Sequence, residues 1–144
     1  MLGYWNNPAE TAHVIKEGWL RTGDMAFKDE EGDLFIVGRR KDFLKVGAHR
    51  VSPLEIENVV SDYEGVMEAA VIGAPEPVLG ESVKCFITTN PGKKIETEDL
   101  EKFCKKRLPL YKVPADIIFL ESMPRNNLGK IDKQALKLGL FHIL

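Results

Sequence analysis

Apolar residues recur along this chain with two periods, near two and near 3.6, and the switches between them mark out short elements. Asn7-Pro-Ala-Glu10 predicts a short helix, with Asn7 as N-cap, Pro8 at the first helical position and Glu10 in the first turn. Met25 to Lys28 and Leu34 to Val37 read as two strands joined by the acidic turn Asp29-Glu-Glu-Gly-Asp33. Gly38-Arg-Arg-Lys-Asp42 then breaks the pattern with four consecutive charges, and a hinge or domain boundary is expected there. Two short strands should flank Gly47. Ser52-Pro-Leu-Glu55 has the form of a capping box with proline at the first helical position, and Ile56, Val59 and Val60 make the buried stripe of the helix it opens.

Further along, Glu68 to Gly73 and Ser82 to Thr88 read as strands, the second alternating through Val83, Cys85 and Ile87. Gly73-Ala-Pro-Glu-Pro77 and Gly80 punctuate the link between them. Thr97 is expected to cap a helix whose apolar face is Leu100, Phe103, Cys104 and Leu108. Lys105, Lys106 and Arg107 sit near its C-terminus, where cations favour the helix dipole, and Pro109 stops it. A strand over Asp116 to Leu120 and a last short helix over Lys133 to Leu138 complete the prediction. The expected fold is α/β (α+β), a small mixed sheet flanked by helices and preceded by a β-hairpin segment. There are no internal repeats or low-complexity stretches.

Composition narrows the class. A chain of 144 residues has room for about one ordinary domain with a core. No apolar run approaches the ~20 residues a membrane-spanning helix needs, and no signal-peptide pattern opens the chain. The net charge of −2 argues against general nucleic-acid binding. Cys85 and Cys104 lie in different elements without metal-like spacing and read as core thiols of a reducing compartment, so a cytoplasmic protein is the default expectation and no metal site is called. Charge is uneven: up to Gly38 there are seven acids and three bases, whereas from Arg39 onward bases outnumber acids by 17 to 15. Solvated surface explains this; so would an anionic ligand on the second part.

Four segments carry candidate chemistry, each beside a plainer reading. Asp24, in Gly18-Trp-Leu-Arg-Thr-Gly-Asp24, is a turn residue on its own, yet a carboxylate there suits two ribose hydroxyls. Arg39 and Lys41 belong to a charge run that is ordinarily a solvated loop; the alternative makes Arg39 a phosphate or ribose contact and Lys41 a backbone pivot. Lys45-Val-Gly-Ala-His-Arg50 combines small residues with a cation, so a thin ligand passing Gly47 and Ala48 would find Arg50 for its phosphate. His49 is given no acid–base role. Pro124-Arg-Asn-Asn-Leu-Gly-Lys130 is a glycine–lysine loop between a strand and a helix, and it lacks the Walker A spacing. On its own the Gly129-Lys130 dipeptide is common and says little, yet a lysine on a mobile glycine loop can neutralise charge building on a carboxylate oxygen and an α-phosphate during adenylyl transfer.

Together these segments are far more specific than apart. Asp24 lies fifteen residues before Arg39, the glycine-containing segment follows, and Gly129-Lys130 stands near the C-terminus. Along essentially its whole length the chain resembles the last third of the adenylate-forming superfamily of acyl-CoA synthetases, luciferases and peptide-synthetase adenylation domains. Gly3-Tyr-Trp-Asn-Asn-Pro-Ala-Glu-Thr11 resembles the segment that precedes that family's ribose-binding aspartate.

The resemblance implies an AMP-forming acid–thiol ligase, active in fatty acid metabolism, that turns a carboxylic (fatty) acid, ATP and CoA into acyl-CoA, AMP and pyrophosphate. A large N-terminal domain would bind ATP and the acid, and hold most of the Mg2+ that accompanies ATP. A small C-terminal lid would close over it, then rotate to admit CoA. Residues 1–38 would be the tail of the N-terminal domain and residues 39–144 the lid. Matched positions imply Lys130 for adenylation, Asp24 and Arg39 for the nucleotide, Lys41 for the hinge, and Gly47, Ala48, His49 and Arg50 for the CoA tunnel.

Two departures stand out. Ala48 replaces a glycine of many members, and Leu79 replaces an arginine that helps several relatives hold CoA, with Lys112 a nearby cation able to compensate. The family's phosphate loop and acid pocket have no match in this chain, which is therefore expected to be inactive alone and to self-associate through Tyr4, Trp5, Trp19 or Phe35. Alternative readings are an adenylation enzyme loading a carrier protein and a free-standing, non-catalytic interaction module.

Overall fold

In the computed structural model, which describes residues 1–143, the chain separates into two units, one from Met1 to Lys41 and one from Asp42 onward. The first unit is a run of local structures. Helix α1 (Pro8–Val14) is capped as predicted, Asn7 Oδ1 accepting from Glu10 N at 3.0 Å. A small hairpin, β1 (Ile15–Lys16) with β2 (Trp19–Leu20), follows where no strand was predicted. Its two-residue loop places Glu17 at φ 51° and Gly18 at φ 81°, the positive pair that matches strand twist. The predicted longer hairpin is β3 (Asp24–Lys28) against β4 (Leu34–Arg39), with Phe27 stacked on Phe35 at 5.0 Å. No residue from Met1 to Lys41 is buried, so this unit has no core of its own.

The second unit is built on the long hairpin β7 (Val66–Glu76) and β8 (Gly80–Thr89). On its other edge β8 takes β5 (Leu44–Val46) near its start and β9 (Asp116–Phe119) further on, the latter in parallel. Strand β6 (His49–Val51) completes a mixed five-stranded sheet by pairing with β5. Period-two alternation sends Val83, Cys85 and Ile87 to one face, where they pack with Ile56 and Val60 of α2 (Pro53–Ser61) and Leu100 and Cys104 of α3 (Thr97–Arg107). Ala70, Ile72 and Phe86 point the other way, against Leu120, Met123 and Leu136, the last from α4 (Lys133–Lys137). The sheet is therefore covered on both faces, and the mixed α/β expectation holds.

Three local expectations do not hold. Residues 73–76 are strand rather than link: β7 is an edge strand, where Pro75's missing N–H is tolerated. Glu76 Oε2 then closes the turn by accepting from Val78 N at 3.0 Å and from Leu79 N. Ser52 stands at the N-cap of α2, but its side chain makes no capping hydrogen bond, and Glu55 turns instead to Lys112 Nζ at 2.6 and 2.7 Å. Thr97 is the first residue of α3 rather than its cap; Glu96 holds that place through its carbonyl, which accepts from Asp99 N and Leu100 N.

Candidate functional site

Lys130 is exposed at the end of a turn that the chain builds from its own polar groups. Asn126 N donates to Lys130 O at 2.8 Å and Gly129 N to Asn126 O at 2.9 Å. Asn126 Oδ1 accepts from Leu128 N and Lys130 N, an Asx-type closure. Gly129 takes φ 75°, in the left-handed region where a side chain is strained. After the turn, Asp132 caps α4 by accepting from Gln134 N and Ala135 N.

The other cations beside this turn are neutralised internally. Arg125 pairs with Glu68 on β7, and Lys133 Nζ lies 2.6 Å from Glu57 Oε1 on α2. Among the described residues, no hydrogen bond or ion pair engages the Lys130 ammonium. It is a cation presented to solvent without a counter-charge, the condition under which it can serve a phosphate.

Gly47 and Ala48 form the two-residue turn between β5 and β6, since Val46 pairs with His49. Gly47 supplies φ 58° at the first central position, where such turns need glycine. Its N–H donates to Leu79 O at 2.8 Å, tying this turn to the one that joins β7 to β8. His49 stacks on Tyr111 with ring centroids 3.8 Å apart, and Arg50 lies over the Phe43 ring at 5.0 Å. Both side chains are thus shelved on aromatic rings, and all four turn residues are exposed. Lys112 does not stand free to replace the arginine missing at Leu79, because Glu55 takes its ammonium.

The Lys130 and Gly47 turns are anchored at opposite ends of one hairpin. Glu68, which holds the first, pairs with Thr88, while Val46 of the second pairs with Gly80. Eight residues of β8 separate those anchors, about 26 Å at ~3.3 Å per strand residue.

In the first unit, Asp24 and Arg39 face one another across β3 and β4, and Arg39 Nε lies 3.2 Å from Asp24 Oδ1. Asp24 N is held by Thr22 Oγ1 at 3.1 Å, and Arg40 N donates to Gly23 O at 2.9 Å. The pairing leaves Asp24 Oδ2 unengaged by this contact. Lys41 is the last residue of the first unit, so the chain passes from one unit to the other at that position. Asp29, Glu31 and Asp33 cluster at the far end of this hairpin. Four strand residues, about 13 Å, separate that end from Asp24, so these carboxylates do not fit a cation held on a nucleotide at Asp24.

The four predicted segments therefore resolve into three places: the Asp24–Arg39 pair, the Gly47 turn and the Lys130 turn. Sequence reasoning missed the bracing groups Glu57, Glu68, Arg125 and Lys133, and the stack of Tyr111 on His49. Arg125 stood inside a quoted motif, but its partner lies 57 residues away and carries no mark in the sequence.

The family model for the AMP-binding enzyme C-terminal domain matches residues 55–130. A putative acyl–CoA ligase of Bacillus subtilis, YdaB, is 44% identical over 140 residues, 97% of this chain and 28% of its own length. A long-chain-fatty-acid–CoA ligase of the same organism is 42% identical over 136 residues, 94% of this chain and 24% of its own. Among solved structures, the amide bond synthetase McbA of Marinactinospora thermotolerans superposes with a TM-score of 0.88 at 35% identity, over 95% of this chain and 28% of its own. The chain thus spans about a quarter of the length of the relatives it matches.

Proposed function

This chain belongs to the family of AMP-binding enzyme C-terminal domains, and from that we propose that it works as the C-terminal part of an ATP-dependent, AMP-forming acyl-CoA synthetase. The observation that carries the proposal is the uncompensated Lys130 ammonium at one end of the β7–β8 hairpin, with the Gly47 turn at the other. In the first half-reaction Lys130 approaches the carboxylate oxygen and the α-phosphate, and its charge stabilises the transition state of adenylyl transfer. Asp24 accepts from the ribose hydroxyls, and Arg39, oriented by its pair with Asp24, contacts the nucleotide. The acid's carboxylate oxygen bonds to the α-phosphorus and pyrophosphate leaves.

The second half-reaction needs the other end of the hairpin. Because the anchors of the two turns lie about 26 Å apart along β8, we assign a rotation of the lid between steps, with Lys41, where the units meet in sequence, as its pivot. Gly47 and Ala48 then line the passage for the thiol arm of CoA, with His49 and Arg50 beside them. The thiol attacks the acyl carbon, forming the thioester and releasing AMP. Mg2+ accompanying ATP would be held mainly by the N-terminal domain of such a ligase, because the Asp29, Glu31 and Asp33 carboxylates lie at the other end of the hairpin from Asp24. The N-terminal domain of such a ligase is the partner that covers the exposed Trp5, Trp19 and Phe35 of the first unit and supplies the acid pocket; without it those rings drive self-association. No described helix is long and apolar enough to cross a membrane, and two free thiols suit the cytoplasm.

The test separates the half-reactions in the complete ligase. Lys130→Ala should lower ATP–pyrophosphate exchange by about a hundredfold or more while thioester formation from supplied acyl-adenylate stays within about threefold. Equal loss in both removes Lys130 from the adenylation role. Offering CoA and a carrier protein as alternative acceptors in the second step decides between acyl-CoA synthetase and carrier loading.

A further inference from the structure

Lys130 is carried by four rotatable bonds on an exposed turn, and α4 behind it has only five residues, so something else must fix where its backbone points. Arg125 is placed to do so. Its Nη2 engages Glu68 of β7, while its Nη1 donates to Gly129 O at 2.8 Å, so one guanidinium holds the sheet edge with one arm and the turn with the other. The segments leading into and out of the turn meet in an isolated antiparallel bridge between Arg125 and Ile131. Beyond the turn, Lys133 bonds Glu57 Oε1, which also accepts from Val71 N at 2.7 Å on β7. The turn is thus tied to the same strand from both flanks, by acids that sit 24% and 15% exposed.

We propose that Arg125 is a positioning residue for the adenylation step: by bonding Glu68 and the Gly129 carbonyl together, it holds the Asn126–Gly129 turn in the shape that aims Lys130. This rests on the reading of Lys130 given above. An exposed ion pair contributes little to global stability, so the consequence of losing it falls on geometry. Displacing a reacting group by about 1 Å costs as much as a hundredfold in rate. Lysine at position 125 keeps the charge but lacks the planar fork needed to serve two acceptors at once.

The experiment has two arms. In the complete ligase, Arg125→Met should lower kcat for adenylation by about ten- to a hundredfold, with KM for ATP and acid, and the thioester half-reaction, within about twofold. Arg125→Lys should recover only part of the loss. In the present chain, trypsin should cut after Lys130 at least about fivefold faster in Arg125→Met, with cutting after the exposed Lys94 as internal reference. Adenylation within about twofold of the parent, equal damage to both half-reactions, or unchanged cutting after Lys130 each overturns the proposal. Lys130→Ala measured alongside tells the failures apart. If that variant retains exchange, the lysine's role falls and the purpose of Arg125 with it; if exchange is lost there but intact in Arg125→Met, only the brace falls.

Discussion

Gly73 links the stability of the sheet to the Gly47 turn, and Gly73→Ala exposes the link. Gly73 is buried on β7, and a Cβ there would overlap Glu81 Oε1, approach Glu81 Cδ at 2.9 Å and reach Leu44 Cδ2 at 3.0 Å. Neither neighbour gives way cheaply. Leu44 is 4% exposed in the core, and the other oxygen of Glu81 accepts from Lys45 N at 2.6 Å, the bond that holds β5 against the hairpin. Overpacking of this kind costs about 1–3 kcal/mol. Moving the carboxylate aside loses a charge-assisted bond worth about 1–2 kcal/mol at this half-buried site. A total of ~2–5 kcal/mol lowers the melting temperature by about 10–25 °C in a unit of this size.

Circular dichroism melts of Gly73→Ala, Glu81→Ala and the double variant provide the assay. Because Glu81→Ala removes the overlapping carboxylate, adding Gly73→Ala to it should cost no more than about 1 kcal/mol further. In the complete ligase, Gly73→Ala should depress the thioester half-reaction more than adenylation, since β5 carries the Gly47 turn. A melt within about 3 °C of the parent, or full additivity of the two substitutions, would falsify the contact argument.

Thr88 Oγ1 is buried and finds no hydrogen-bond partner among the described residues, so Thr88→Val should raise unfolding free energy by about 1 kcal/mol, read as a shifted urea midpoint. Burial, then Cys104 and Glu57, pushes the Cys85 thiol far above its ordinary value, and burial, then Glu101, raises Cys104. Both keep their protons in the fold beyond the unfolded value of about 8.5, so this stabilisation is complete below that pH and is lost as pH rises. The unfolding free energy read from urea melts should therefore fall between pH 8.5 and 9.5, by about 1 kcal/mol for Cys85 alone, and Cys85→Ala should flatten the fall; a stability that rises instead contradicts the burial argument. Ala48→Phe, in the exposed two-residue turn, should spare pyrophosphate exchange and cut thioester formation by about tenfold or more, and the reverse pattern would remove this turn from the CoA passage.

Elements set by near neighbours were legible in the sequence. Asn7 caps α1, the β3–β4 hairpin closes on its acidic turn, and the alternation of Val83, Cys85 and Ile87 puts one face of β8 in the core, because caps, turns and the pleat depend on residues only a few positions apart. The Gly47 turn and the Gly129-Lys130 turn were legible for the same reason: a glycine at positive φ marks its own place. What lay beyond reach was every choice that a distant partner makes. Glu55 leaves its capping box for Lys112, Pro75 is absorbed into an edge strand, and Arg125 finds Glu68, through contacts that span 57 residues in the first and last cases. A carboxylate's local options are few and visible, but which cation reaches it depends on how sheet and helices stack. Only that stacking anchored Lys130 and the Gly47 turn at opposite ends of one hairpin.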